Sequence, residues 1–326
     1  MSAAADPLVS VVIATYNRAD IIGYAVRSAL LSRDVALEVI VIGDACTDAT
    51  AEAIAAIGDS RVRFVNLPRN WGEQSVPSNE GIALARGEFV AFLNHDDLFL
   101  PWHLSDLLAV HGQGADVTWS PYLVVSPSDE PTHERPKYAL AAITPEARFE
   151  PLTFVVASAT CYRKRVLEHI GGWTRASQTI LSPSQDLLFK AYRAGFDIRR
   201  TERPSALAFY TGDRKEAYVK RSSSEHAWFF DLVHAGGEAL FLELMRAGVH
   251  DAAARNETPL ARFVLVRWYR RISSLALRLF GLHPHVPIMW LRYGLRRGGL
   301  VNRARQIAGL PHIDFRMREK QVGKRR

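Results

Sequence analysis

Four aspartates stand where a carboxylate could do chemistry. Asp44 follows the apolar run Leu37–Ile42, and the adjacent pair Asp96 and Asp97 follows Gly87–Leu93. Asp186 opens the periodic run Gln185–Gly195. Adjacent carboxylates repel unless a cation or a shared proton relieves them. At the exit of a strand such a pair suits Mg²⁺ or Mn²⁺, which takes one or two carboxylates plus substrate phosphates. Each aspartate also has a plain structural role. Asp96-Asp97 would cap a helix over Leu98–Val110, Asp186 would sit in a helix start after Ser182-Pro183-Ser184, and Asp44 with Asp48 would close a turn.

The elements that must position these groups are readable in the pattern. Leu8–Ala14 is a nearly continuous β-branched run and reads as a buried parallel strand. Helix Ala19–Ser32, strand Leu37–Ile42, helix Ala49–Ile57, strand Arg61–Asn66, helix Val76–Arg86 and strand Gly87–Leu93 follow in turn. Strands alternating with helices predict an α/β fold with a doubly wound, mostly parallel sheet. Ligands of such sheets lie at the carboxyl ends of the strands. Those ends are Thr15-Tyr16-Asn17-Arg18, Gly43–Asp48 and Asn94-His95-Asp96-Asp97. The first turn has no GxGxxG and the chain no GxxxxGK[ST], which excludes a dinucleotide fingerprint and a P-loop. Six prolines between Pro121 and Pro151 predict a segment that is mostly loop. A strand over Leu152–Tyr162, a short helix Lys164–Ile170 stopped by Gly171-Gly172, and a helix Gln185–Gly195 complete the reading.

The order and spacing of VSVVIATYNR, VIGDACTD, NEGIALARGEFVAFLNHDD, GGW and SQDLLFKAYRAGF resemble family 2 glycosyltransferases of the GT-A fold, over roughly residues 8–215. The resemblance implies a Rossmann-like domain over 1–215; the remaining residues, 216–326, carry no such match and read from charge and periodicity as a helical, basic C-terminal region. It places Thr15, Tyr16, Asn17, Arg18, Asp44, Asn79, Asn94, His95 and Asp96 on a nucleotide-sugar. Asp44 would read the nucleobase. Asp96 would hold Mg²⁺ or Mn²⁺ across the diphosphate, with Asp97 supporting it and His226 as a further metal ligand. Asp186 would be the catalytic base of a single inverting displacement. Trp173 of the GGW turn, and Trp102, would face a glycan or lipid-linked acceptor; the alternative for Trp102 is the core. Against the family pattern, Gly43 and Asn94 replace aspartates, Gln185 replaces a glutamate, and Ser78 replaces an arginine. These swaps keep two rival readings open: a catalytically degenerate sugar-nucleotide-binding scaffold, and a sugar-1-phosphate nucleotidylyltransferase.

The charge is uneven. The net is +7 over 326 residues, yet residues 261–326 hold 16 basic and 2 acidic side chains, leaving a body of net −7. Leu265, Trp268, Tyr269, Ile272, Leu275, Ala276 and Leu279 share one helical face, with Arg267, Arg270, Arg271 and Arg278 opposite. Aromatics and arginines beside an aliphatic face suit an anionic membrane surface. Nucleic acid is not expected, because the aromatics lie on the apolar face. Two cysteines, no signal-like leader and no run of 18 apolar residues predict a cytoplasmic protein, attached peripherally to the inner face of the membrane.

Overall fold

The computed structural model describes residues 9–126, 137–144, 147–151, 153–179, 181–209 and 226–233, with isolated helical positions at 239, 242, 243 and 246. The basic C-terminal region predicted over 261–326 lies outside the described residues. Among the described residues no helix is long and apolar enough to cross a membrane.

The strands are β1 (Val9–Thr15), β2 (Leu37–Gly43), β3 (Val62–Asn66), β4 (Phe89–Phe92), β5 (Leu98–Phe99), β6 (Val117–Trp119), β7 (Tyr122–Ser126), β8 (Lys137–Ala141), β9 (Thr160–Arg163), β10 (Ile198–Arg200) and β11 (Ala206–Phe209). The helices are α1 (Ile22–Leu30), α2 (Thr50–Ala55), α3 (Ser75–Leu84), α4 (His103–Gly112), α5 (Lys164–Ile170) and α6 (Pro183–Arg193). Seven strands form the main sheet in the order β10-β6-β9-β4-β1-β2-β3, and four form a second sheet, β5-β11-β7-β8. In the main sheet only β9 runs against its neighbours. Its amino end therefore lies beside the carboxyl ends of β4 and β6.

Alternation along the central strands divides the core. Val12, Ile40, Ile42, Val90 and Phe92 point to one face, where α3, α5 and α6 pack with Ile82, Val166, Leu167, Leu187 and Leu188. Val9, Val11, Ile13, Val39, Val41 and Ala91 point to the other, against Ile22 and Val26 of α1 and Leu104 and Leu107 of α4. Both faces are covered, so these strands read as continuous apolar runs. Ser10 and Glu38 are the polar exceptions, paired in register and buried. Glu38 accepts Ser10 Oγ at 2.7 Å, the Arg86 N–H at 2.8 Å and Arg86 Nε at 3.0 Å. Burial alone would raise this carboxyl, but those donors outweigh it and hold it below its usual range.

Three expected elements differ. No helix begins at Leu98: Leu98–Phe99 is β5, paired with β11, and α4 starts at His103 with Trp102 at its cap. Pro101 disfavours helical backbone at Leu100, so the helix starts beyond it. Asp96 and Asp97 are thus not helix caps. The stretch Pro121–Pro151, expected to be mostly loop, contains β7 and β8, which pair from Tyr122↔Ala141 to Ser126↔Lys137. Prolines 127, 131 and 136 lie between those strands in sequence, outside the described residues. Leu152–Tyr162 is not one strand: a 3₁₀ turn, Ala157–Ala159, precedes β9.

Two histidines are sealed in this core. His103 meets Ser205 Oγ at 2.8 Å, and His111 lies between the Ala115 carbonyl and Thr118 Oγ1, each at 3.0 Å. Burial pushes the His103 imidazole down to about 3 and that of His111 to about 4. The unfolded chain binds their protons near pH 6.5 while the fold refuses them, so their contribution is present above that pH and lost as pH falls towards 4. The expected acid penalty is on the order of 2–3 kcal/mol per histidine. In thermal unfolding from pH 7.5 to 4, His111→Gln should show a shallower acid decline than the parent chain. Parallel declines would contradict the assignment.

Candidate active site

The carboxyl ends of β1, β2 and β4, the amino end of β9 and the start of α6 converge on one side of the main sheet. After β1 the chain turns sharply. Asn17 takes positive φ, 50°, which asparagine tolerates better than most residues. Its amide clamps the next turn: Oδ1 accepts the Thr47 N–H at 2.8 Å and Nδ2 donates to Thr47 Oγ1 at 3.3 Å. Arg18 is buried and pairs with Asp20 at 3.1 Å. Both side chains thus help hold the turn together. Thr15 and Tyr16 differ: the Thr15 hydroxyl is buried without a partner, and the Tyr16 ring is 47% exposed.

At the end of β2 a side chain on Gly43 would put Cβ 2.5 Å from Asn66 Oδ1. Asn66 occupies that space, accepting the Cys46 N–H at 2.8 Å and donating to the Cys46 carbonyl at 2.9 Å. Asp44 is buried, and its carboxylate accepts the N–H groups of Trp71 (2.9 Å) and Gly72 (2.9 Å). Asp44 thereby anchors the loop before α3. That loop carries Trp71 with the Arg69 guanidinium 4.6 Å and the Arg175 guanidinium 5.0 Å from its ring centroid.

After β4, Asp97 lies buried with both oxygens engaged. Oδ2 accepts Asn94 Nδ2 at 2.8 Å and Ser158 Oγ at 2.5 Å, while Oδ1 accepts the Phe209 N–H at 3.0 Å. Burial first, and the Asp96 charge second, push its carboxyl up to about 7 against those donors. Protein donors thus engage both oxygens of Asp97. Asp96 is half-buried, and its carboxylate accepts no hydrogen bond among the described residues. His95 bonds the Ala14 carbonyl through Nδ1 at 3.3 Å, and its buried Nε2 has no partner. His226 meets the Asp96 main-chain carbonyl through Nε2 at 3.0 Å and stacks on Phe209, 4.3 Å between centroids. Through that contact His226 supports the Asp96 backbone. No group of three or more His, Cys, Asp or Glu forms a metal cage among the described residues. The donor set fits a cation held by Asp96 and completed by phosphate oxygens, not one enclosed by protein alone.

The wall opposite is the Gly171–Thr179 loop and α6. Asn79 donates to the Trp173 carbonyl at 3.0 Å and accepts the Trp173 N–H at 2.8 Å. It clamps the GGW turn. Trp173 is buried edge-on to Phe92, 5.0 Å between centroids, with its indole N–H unpartnered. Trp102 is in the core of the second sheet: it is buried and donates to the Pro204 carbonyl at 3.2 Å, which corrects its acceptor role. Asp186 sits in the first turn of α6, where the helix dipole favours a carboxylate. Its Oδ1 lies 3.4 Å from Thr179 Oγ1, and its buried Oδ2 has no partner. Lys190, one turn on, donates to the Gly172 carbonyl and ties α6 to the GGW turn. Burial holds the Lys190 ammonium below its usual range. Beside Asp186, Gln185 Nε2 donates to the Val155 carbonyl at 2.7 Å, leaving its buried Oε1 unpartnered.

Sequence reasoning missed Ser158, Asn66, Trp71 and Arg175. Ser158 lies inside what read as an uninterrupted strand, and the others carry no motif; only the Trp-Gly pair at 71–72 marked an unusual turn. The GGW turn offers an internal comparison. Gly171 and Gly172 both have positive φ, 72° and 62°. A Cβ on Gly171 would meet nothing within 4 Å, whereas one on Gly172 would lie 2.4 Å from Asn79 Oδ1. Gly171→Ala should cost about 1 kcal/mol of backbone strain, and Gly172→Ala about 1–3 kcal/mol more. Chemical denaturation should rank them so; equal losses would deny the Asn79 clamp.

Residues 10–171 match the model of the family described as glycosyl transferase family 2. Over 102 residues the chain is 43% identical to the succinoglycan biosynthesis protein ExoO of Rhizobium meliloti (strain 1021), a stretch covering 31% of this chain and 29% of that protein. It is 34% identical over 100 residues to the UDP-Glc:alpha-D-GlcNAc-diphosphoundecaprenol beta-1,3-glucosyltransferase WfaP of Escherichia coli, covering 30% and 39%. The matched stretch spans about a third of the length of these curated relatives. Among solved structures, S. aureus TarS 1-349 in complex with UDP-GlcNAc superposes with a TM-score of 0.53 at 20% identity, covering 69% of this chain and 65% of that one. Its complex with UDP gives 0.53 at 17% identity, covering 92% and 88%. These likenesses show the expected α/β fold with its largely parallel sheet. The shared motifs and this fold place the chain, through residues 10–171, in glycosyl transferase family 2.

Proposed function

We propose that this protein transfers a sugar from a nucleoside-diphosphate sugar to a hydroxyl of a glycan or lipid-linked acceptor, with inversion at the anomeric carbon. One observation carries the reading. Of the carboxylates at the carboxyl end of the sheet, Asp44 and Asp97 are occupied by protein donors, while Asp96 and Asp186 each keep oxygens that protein does not engage. Those two belong to different elements, as two separate tasks require.

In this reading the diphosphate lies at the end of β4, near the Thr15 hydroxyl and His95 Nε2. A divalent cation, Mg²⁺ or Mn²⁺, would be held there by Asp96 and would supply charge neutralisation to the leaving diphosphate. Asp186 Oδ2 takes the proton of the acceptor hydroxyl as its oxygen attacks C1 from the face opposite the leaving group. The bond from C1 to the phosphate oxygen breaks, its electron pair leaves with the nucleoside diphosphate, and the new glycosidic bond is inverted. Thr179 and Lys190 keep α6 and the GGW loop in register during this step. The UDP complexes of the structural neighbour and the UDP-Glc in the name of one relative support a uridine diphosphate sugar as the donor class.

Asp186→Asn should cut sugar transfer by about 10²–10⁴-fold while UDP binding, read by calorimetry, stays within about threefold. Asp96→Asn should instead weaken the cation-dependent part of UDP binding. Retained transfer in Asp186→Asn would remove the base assignment. A folded wild type that binds UDP and turns over no UDP-sugar would favour the scaffold reading.

The acceptor reading extends to the basic C-terminal sequence, taken with 216–326 as a region separate from the domain at 1–215. Its charge supports an anionic membrane surface as partner, at about 1 kcal/mol per basic residue near the surface. In the full chain, replacing Arg267, Arg270, Arg271 and Arg278 together with Gln should lower co-sedimentation with phosphatidylglycerol vesicles by at least about tenfold at 0.1 M salt. Unchanged binding would defeat membrane attachment through that helix face.

A further inference from the structure

Phe154 stands out among the large apolar side chains because it is 51% exposed while the backbone that carries it is fixed. Its carbonyl accepts the Tyr122 hydroxyl at 3.3 Å. The next carbonyl, that of buried Val155, accepts Gln185 Nε2 at 2.7 Å. Tyr122 and Gln185 are themselves buried, 1% and 3% exposed. The ring is therefore presented on a rigid support, and that support is bonded to the residue preceding Asp186. A second, independent feature points to a ligand there. Gln185 Oε1 is buried with no hydrogen-bond partner, a costly state for an amide oxygen unless a donor arrives.

We propose that Phe154 and Gln185 form the acceptor subsite, in which the apolar face of a hexopyranose stacks on the Phe154 ring and a ring hydroxyl donates to Gln185 Oε1. This rests on the reading of Asp186 as the base, and it names what Asp186 deprotonates. A pyranose with its C–H bonds gathered on one face offers a flat apolar patch that an aromatic ring covers well. An open-chain polyol offers none. The subsite thus selects a sugar ring over a ribitol- or glycerol-type acceptor. Because half of the Phe154 side chain already faces solvent, replacing it should leave folding intact.

The test is saturation-transfer NMR on the full-length protein with methyl β-D-glucopyranoside, methyl β-D-galactopyranoside and methyl N-acetyl-β-D-glucosaminide, with ribitol as control. The expected result is transfer to H1, H3 and H5 of at least one glycoside, which share a face, and none to ribitol. Phe154→Ala should reduce that transfer at least tenfold with an unchanged melting temperature, and Phe154→Trp should restore it. The companion measurement is UDP release from UDP-glucose and UDP-N-acetylglucosamine. Phe154→Ala should raise KM for the stimulating glycoside at least tenfold, with kcat within twofold. Glycoside binding that requires Phe154, in a protein that never releases UDP, would sink the transferase reading and leave the sugar subsite standing. No saturation transfer from any glycoside, equal transfer from ribitol, or transfer that survives Phe154→Ala would overturn the subsite.

Discussion

Burying one carboxylate at the mouth of the sheet constrains nearly everything around it. Asp97 pays a large desolvation penalty, visible in a carboxyl pushed up to about 7, and is tolerable only because three donors converge on it. Each donor comes from a different part of the fold. Asn94 belongs to the turn after β4, Ser158 to the 3₁₀ turn before β9, and the Phe209 N–H to the end of β11 in the second sheet. The antiparallel run of β9 is what brings Ser158 to this end of the main sheet. The two sheets are thereby joined at the point where chemistry is proposed. Asp96, next in line, shares none of these donors, and its backbone is held by His226.

A consequence is a division of labour among the polar residues of the site. Asn17, Asp44 and Asn79 have the residue types and positions of ligand contacts, yet each satisfies backbone groups of a neighbouring loop. Turns at strand ends leave N–H and carbonyl groups that must be paired once buried, and short polar side chains are the nearest partners. The Asp44 bond to the Trp71–Gly72 backbone and the Asn79 bond to Trp173 join three loops into one frame. What that frame leaves open is small: the Thr15 hydroxyl, His95 Nε2, the Trp173 indole N–H, Gln185 Oε1 and Asp186 Oδ2, all buried and unpartnered, plus the Asp96 carboxylate. A site made this way has its geometry set by protein–protein bonds before any ligand enters, which is the condition for electrostatic preorganisation.

The legible part of this fold was the part governed by period. β1, β2 and β4 were clear because both faces of the sheet are covered, so their apolar runs have no polar interruptions apart from Ser10 and Glu38. The helices on either side followed from their apolar stripes. The second sheet was hidden for a physical reason: β5 has two residues and β11 four, too short for a pattern, and β7 and β8 sit among prolines that suggested loop. The positions of the site aspartates were readable, while their roles were not. Sequence order places Asp96 and Asp97 side by side, but only the long-range bonds to Ser158 and Phe209 tell which of the two is occupied. Trp102 was likewise ambiguous until β11 and the Pro204 carbonyl came beside it.

Those same bonds bear on whether the departures from the family pattern are decay or accommodation. Asn94 stands where an aspartate is usual, and its Nδ2 donates to Asp97 at 2.8 Å. An aspartate at 94 could not donate, and would set a second negative charge against a carboxyl already hard to ionise. Gln185 stands where a glutamate is usual, and its Nε2 donates to the Val155 carbonyl at 2.7 Å. A glutamate would face that carbonyl with another acceptor, and both would be buried. Gly43 stands where a further aspartate is usual, and Asn66 fills the space a side chain would need. In all three cases the replacement meets a specific demand of this chain's own surroundings. Here the partner atoms Asp97 Oδ2, the Val155 carbonyl and the Cys46 N–H are each satisfied by the substituted geometry, and the two carboxylates that the proposed displacement needs are the ones left open.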